Sequence, residues 1–316
     1  MSSPRRRPRP SAAMPLDDYD LLSEILLRLP PQPSSLPRAS AVCRSWRSLV
    51  TDARFLRRFR LRHRRNPPLL GFFHRDDYTT SFVPALEAPN RVPPGRFSLQ
   101  FANNFRILGC RHGLVLIFYQ NPLQFLVWDP VTGNQSRLAI PPGFDPSKAH
   151  VNGAVLCCRR RRPALQVGDS LYWEIVGTKL NIVEFDLETE SLSLIRVSRA
   201  DDVLCFAVMP AQGGGLGFLS LSGFTAQLWK RKTDSDGVVS WVMETTVELD
   251  KLLSLDSDSD DHIGIRGFAE DNNSVFLYTA VSIFIVQFEP LQFKKLAKPD
   301  MEDHCHPFES IYAAGI

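Results

Sequence analysis

Between Leu21 and His63 the apolar positions recur with a helical period. Leu22, Ile25, Leu26 and Leu29 stand at i, i+3, i+4 and i+7, one stripe of a helix. Pro30 and Pro31 close that stripe, because proline has no N–H to continue a helix. Ser34 or Ser35 can cap a second helix, with Pro37 tolerated in its first turn. Its apolar face would carry Ala39, Val42, Cys43, Trp46 and Leu49. Asp52 can cap a third helix, in which Phe55, Leu56 and Phe59 are apolar. Three helices in about 45 residues bury little surface. Their Leu-, Ile- and Trp-rich faces are therefore expected to be covered by the rest of the chain or by a partner.

From about Pro67 the period changes to two, and clusters of Gly, Pro, Asn and Asp punctuate the segments. A unit recurs. Gly113–Ile117 leads to Phe125–Trp128, a turn at Asp129-Pro-Val-Thr-Gly133, and Arg137-Leu138. The same order starts again at Ser170, Gly215 and Ser274, spaced 57, 45 and 59 residues apart. An aromatic (Trp128, Phe185, Trp229, Phe288) follows each start by 14 or 15 residues. Units of this length, with strands joined by tight turns, predict a β-propeller. Looser strands are expected at Leu69–Phe73 and Phe82–Leu86, and a last apolar stretch at Phe308–Tyr312.

Charge separates the same two regions. The chain is nearly balanced at +3 over 316 residues, yet residues 1–65 hold 15 Arg against 5 acids and the rest is net acidic. Residues 1–13 read as a disordered basic tail with nothing to bury; Arg5, Arg6, Arg7 and Arg9 leave a nuclear-import signal open. No apolar h-region follows the tail, and no apolar run approaches the roughly 18 residues of a membrane span. Six irregularly spaced Cys are expected to be reduced core thiols, which places the chain in nucleus or cytoplasm.

Catalytic and metal motifs fall short. His304-Cys305-His306 lacks a second ligand pair at zinc spacing. Asp256, Asp258 and Asp260 begin like a calcium loop, but Asp261 and Gly267 stand where it needs Gly and Glu. Gly213-Gly-Gly215 is followed by no Lys-Ser/Thr. No enzymatic activity, cofactor, metal or membrane partner is expected, and nucleic acid is not the favoured partner.

The helical segment resembles the F-box: Pro15-Leu16, then Leu22-Ser-Glu-Ile-Leu-Leu-Arg-Leu-Pro30, then Leu36 through Val42-Cys43-Arg-Ser-Trp46 to Phe55, with Met14-Pro15 where the family opens Leu-Pro. The remainder resembles a plant F-box family, expanded in grasses, with a propeller-like C-terminal domain. Leu108-Gly-Cys-Arg-His-Gly-Leu114, Val127-Trp-Asp-Pro-Val-Thr-Gly133, Gly267-Phe-Ala-Glu270 and Gln292-Phe-Lys-Lys-Leu296 carry that likeness. The resemblance implies a basic tail at 1–13, an all-α F-box module at 14–65 and an all-β, propeller-like substrate-binding domain at 66–316. Between Cys158 and Leu171 the family usually has further strands; here the basic run Arg159–Arg162 stands instead, which implies an incomplete blade. The implied role is substrate receptor of a Skp–cullin–F-box ubiquitin ligase, joined to the cullin through a Skp-type adaptor. Pro15, Leu22, Ile25, Leu26, Leu29, Pro30, Leu36, Val42, Cys43 and Trp46 would pack together or bind the adaptor, with Val42 and Cys43 the readiest to be bundle packing only. Two other readings remain: a propeller-type binding module without a ligase role, and a nucleic-acid-associated factor using the basic N-terminus.

Overall fold

Asp18 starts the helical part: its Oδ1 accepts from the main-chain N–H of Asp20 (2.9 Å) and Leu21 (3.2 Å) and caps α1 (Tyr19–Leu26). The single helix expected through residues 39–49 is two, α2 (Ser35–Ser40) and α3 (Arg44–Thr51). Ala41 N–H and Val42 N–H bond back into α2 in tight i−3 turns, and Cys43 then adopts extended backbone (φ −161°, ψ 174°) that breaks the ladder. Ser34 stands at the start of α2, but its side chain makes no capping bond. Asp52 caps α4 (Ala53–His63) as its position predicts, accepting from Arg54 and Phe55 N–H at 2.9 Å each. Leu22, Leu26, Leu36, Leu49, Val50, Phe55 and Phe59 form the interior. Each such side chain contributes roughly 1.5–3 kcal/mol by burial. Ile311 and Ala313 pack on this cluster, so the last residues of the chain belong with the helices and not with the β domain.

The computed structural model describes residues 18–76, 79–93, 95–97, 105–120, 123–138, 151–152, 156–157, 165–176, 180–197, 205–255, 262–280, 282–297 and 305–313. The basic tail, Pro15, Arg159–Arg162, the Asp256–Asp260 run and His304 lie outside these. The chain divides into two units, one holding the residues up to Arg65 with those from Ile311 onward, the other Asn66–Ser310.

The second unit is a five-bladed β-propeller. Its strands are β1 (Leu69–Asp76), β2 (Thr79–Pro84), β3 (Phe105–Arg111), β4 (Leu114–Gln120), β5 (Leu123–Trp128), β6 (Gln135–Leu138), β7 (Val151–Asn152), β8 (Leu156–Cys157), β9 (Leu165–Val167), β10 (Ser170–Val176), β11 (Leu180–Asp186), β12 (Ser191–Arg196), β13 (Cys205–Pro210), β14 (Leu216–Ser222), β15 (Thr225–Thr233), β16 (Val239–Glu248), β17 (Gly264–Ala269), β18 (Ser274–Tyr278), β19 (Ser282–Phe288), β20 (Leu291–Ala297) and β21 (His306–Glu309). A short helix, α5 (Leu249–Leu253), follows β16. The second to fifth blades are β3–β6, β9–β12, β13–β16 and β17–β20, each a four-stranded antiparallel meander. The recurring unit of the sequence covers the outer three strands of each blade. Its aromatic closes the third strand in Trp128 and Phe288, stands one residue before the end in Phe185, and sits mid-strand in Trp229. The two-stranded sheet β7–β8 lies in sequence between the second and third blades, and β7 lies beside β3.

The first blade is assembled from both ends of the unit. Its order is β2-β1-β21, so the last strand pairs with the first and closes the ring. Phe308 on β21 is fully buried among Phe73, Phe82 and Phe97, with ring centroids 5.4–6.2 Å away. Cys305 N–H donates to Arg266 O (3.0 Å), and a Cβ on Gly267 would lie 2.7 Å from Cys305 O, so only glycine permits this approach of β17 to the closing segment. Beside it Glu309 accepts from Asn272 N–H (2.7 Å), Asn272 Nδ2 (2.6 Å) and Asp271 N–H (3.1 Å), and Arg111 of the second blade pairs with Glu270 at 2.6 Å. Apolar clusters fill the spaces between consecutive blades: Phe206, Phe218 and Ile195 between the third and fourth, Leu219, Leu277 and Phe284 between the fourth and fifth.

Candidate functional site: two exposed apolar surfaces

In the helical module the ten sequence-derived positions divide by exposure. Leu22, Leu26 and Leu36 are interior at 1% exposure, and Leu29 and Trp46 are half-buried against the same cluster. Ile25 (39%), Pro30, Val42 (61%) and Cys43 face outward. This reverses the expectation for Val42 and Cys43: the helix break turns both away from the bundle. Tyr19 and Leu21, which the periodic stripe passes over, are also exposed. Pro15 is outside the described residues. The exposed positions are apolar or weakly polar, in a segment rich in arginine. Arg58 pairs with Glu24, and the helices otherwise carry far more Arg than acid.

On the propeller, an open groove of about 1100 Å³ runs between the outer strands of the third and fourth blades. Trp229 and Trp241 form its floor. Trp229 stacks on Phe218 (5.8 Å, 8°), and Trp241 meets Phe218 edge-on at 4.8 Å. Leu194 of β12 (55% exposed) stands on one side, Val242 and Met243 (48%) of β16 on the other. Trp241 Nε1 donates across to Arg196 O (3.3 Å). Glu184 accepts from Tyr172 OH (2.7 Å) and Ser193 Oγ (3.0 Å), and Arg231 approaches it at 4.0 Å. The Tyr172 hydroxyl is pushed up to about 12 by burial and by this bond, so it remains a donor. The sequence reading did not single out this groove. Leu192-Ser-Leu194 has the alternation of any strand, and only the sheet order reveals that β12 is an edge.

The remaining chemistry is structural. Gly213–Gly215 is the β13–β14 hairpin turn, closed by Ala211 N–H to Gly215 O at 3.0 Å. Burial lifts the Cys305 thiol to about 12, so it carries no thiolate near neutral pH. Cys43, expected in the core, is exposed, and Cys43, Cys110, Cys205 and Cys305 form no disulfide. Among the described residues no three His, Cys, Asp or Glu side chains are gathered to hold a metal, and no helix is long and apolar enough to cross a membrane.

An F-box domain model matches residues 14–58, and a model described as "F-box protein AT5G49610-like, beta-propeller" matches residues 145–314. Two Arabidopsis thaliana proteins whose names describe them as F-box proteins are similar. At1g47790 is 28% identical over 55% of this chain and 49% of its own length; At1g47765 is 27% identical over 52% and 44%. The chain thus spans about half the length of these curated relatives. Among solved structures, TolB from Acinetobacter baumannii aligns over 80% of this chain and 61% of that one, at 10% identity and a TM-score of 0.32, too slight a likeness to carry an argument.

Proposed function

The chain belongs to the F-box proteins that carry an AT5G49610-like β-propeller, and from that premise we propose that it is the substrate receptor of a Skp–cullin–F-box ubiquitin ligase. In this reading a Skp-type adaptor binds the helical module and connects it to the cullin. The propeller holds the target. The chain itself performs no bond chemistry; it raises the local concentration of target near the ubiquitin-transferring subunits. The observation that supports the reading most is the division of the F-box positions. The interior closes over Leu22, Leu26 and Leu36 without help, yet Ile25 and Val42 remain outside it, apolar and uncovered. Anchors of that kind gain most when a partner desolvates them.

The test separates folding from docking. Ile25→Asp and Val42→Asp change exposed positions, so the module keeps its helices by circular dichroism. At the interface each would bury an unpaired carboxylate, at a cost of several kcal/mol. The double variant is expected to lose co-purification with a Skp-type adaptor while the wild type retains a one-to-one complex. Undiminished capture by the folded double variant would refute the assignment. Leu26→Asp is not a usable probe, because at 1% exposure it would disrupt the bundle itself.

A further inference from the structure

The receptor reading leaves the target undefined, and the groove between the third and fourth blades defines part of it. One side of the groove is the outer edge of β12, which among the described residues pairs only with β11. Within a strand the N–H and C=O of one residue point the same way, and successive residues alternate. Trp241 Nε1 takes the Arg196 carbonyl from the open side. Leu194 and Leu192 stand two and four residues before Arg196, so their main-chain groups face the same open side. Their side chains are 55% and 57% exposed, and Met243 across the groove is 48% exposed. An unpaired edge beside uncovered apolar side chains is the geometry that accepts an added strand.

Charge narrows the occupant. Arg196 forms no ion pair among the described residues. Among the described residues Arg231 reaches only Glu184 as an ion-pair partner, at 4.0 Å, and both Glu184 oxygens already accept hydroxyl hydrogens. Arg231 Nε is buried with no acceptor among the described residues. The groove therefore has donors and positive charge in excess of acceptors. β12 has six residues, a length of about 20 Å at roughly 3.3 Å per residue. We propose that this groove binds an extended segment of the target protein, about six residues long, whose alternating apolar side chains flank an aspartate or glutamate. The proposal rests on the receptor reading for the identity of the occupant as a target; the groove's preference for such a segment does not depend on it.

The experiment pans a display library of random heptapeptides against the full chain. Alternating apolar sequences with one carboxylate are expected to enrich. Leu194→Asp and Met243→Asp, both exposed substitutions checked for an unchanged melting temperature, are expected to weaken the enriched peptides at least tenfold. Arg196→Glu is expected to shift selection from acidic to basic peptides. The proposal is overturned if no class enriches, or if the enriched peptides bind the Leu194→Asp variant as well as the wild type. It is equally overturned if the groove residues instead govern self-association by light scattering or salt-dependent capture of an oligonucleotide. Adaptor co-purification is scored separately. Peptide selection without adaptor binding sinks the receptor reading alone, and adaptor binding without peptide selection sinks the groove alone.

Discussion

Ile25 and Leu26 are neighbours that the helical stripe treats alike, and the folded module puts one outside and one inside. Periodicity marks a face about 100° wide or more and does not say where its margin falls, so the set of F-box positions was legible while their division into core and surface was not. Glu309 was invisible for a different reason: nothing local marks a strand-end glutamate that three blades enclose. Burial pushes its carboxyl up to about 7 from 4.5, against the opposing pull of the hydrogen bonds from Asn272 and Asp271. Burial also raises Glu270 and Asp271, with Arg111 and His112 opposing. A raised acid binds a proton in the folded state that the unfolded chain has released. Its contribution to stability is complete below about pH 4.5, declines as pH rises through about 7, and is then gone. The propeller is therefore expected to melt at a higher temperature at pH 5.5 than at pH 8. Glu309→Gln, which keeps an oxygen for the Asn272 donors, should flatten that slope. Parallel slopes for variant and wild type in calorimetric melts would show that Glu309 is not the group responsible.

At the scale of elements, turn chemistry decides where sequence and structure agree. Asp52 was readable as a cap and is one. The same logic recurs between the third and fourth strands of three blades. Asp129 accepts from Val131 and Thr132 N–H, Asp186 from Glu188 and Thr189, and Asp234 from Asp236 and Val238. These aspartates follow the unit starts by 16, 16 and 19 residues, less evenly than the aromatics used to align the units, and are a second, looser signal for the same period. The α2–α3 break had no such marker. Ala41, Val42 and Cys43 include no Gly or Pro, so the apolar spacing ran straight through it. A cap that satisfies two N–H groups at 2.9 Å contributes about 1 kcal/mol, within a range of roughly 0.5–2. Asp52→Ala should destabilise the helical module by that amount in urea unfolding followed by circular dichroism, and Asp52→Asn by much less. An alanine variant as stable as the wild type would mean that α4 is held by Phe55 and Phe59 alone.

For the whole molecule, the sequence pattern predicted a propeller but could not show how the ring closes. The closing strand β21 is four residues long, too short for periodicity, and its partner β1 lies more than two hundred residues earlier. Long-range pairing of this kind leaves no local trace. Nor did the pattern show that Ile311 and Ala313 join the helices, since the expected domain ran on to residue 316. The incomplete blade expected from the short segment between Cys158 and Leu171 is corrected by the structure: β9 lies in that segment and completes a four-stranded third blade, while residues 158–164 lie outside the described residues. A ring closed by one strand depends on what anchors it, and here the anchor is Phe308, with no exposure and three phenylalanine neighbours. Removing a buried phenylalanine side chain costs about 3–5 kcal/mol. For a domain of this size each kcal/mol shifts the midpoint by roughly 2–4 °C. Phe308→Ala is thus expected to lower the melting temperature of the β unit by on the order of 10 °C. Because the closing strand joins the first blade to its neighbours, the loss should appear in one cooperative transition. Phe293→Ala, at a residue 44% exposed on the outer strand of the fifth blade, serves as the control and should shift the midpoint far less. If the two variants melt alike, or if Phe308→Ala splits the transition and leaves most of the domain at the wild-type midpoint, then β21 does not close the ring in the energetic sense and the blades hold together pairwise.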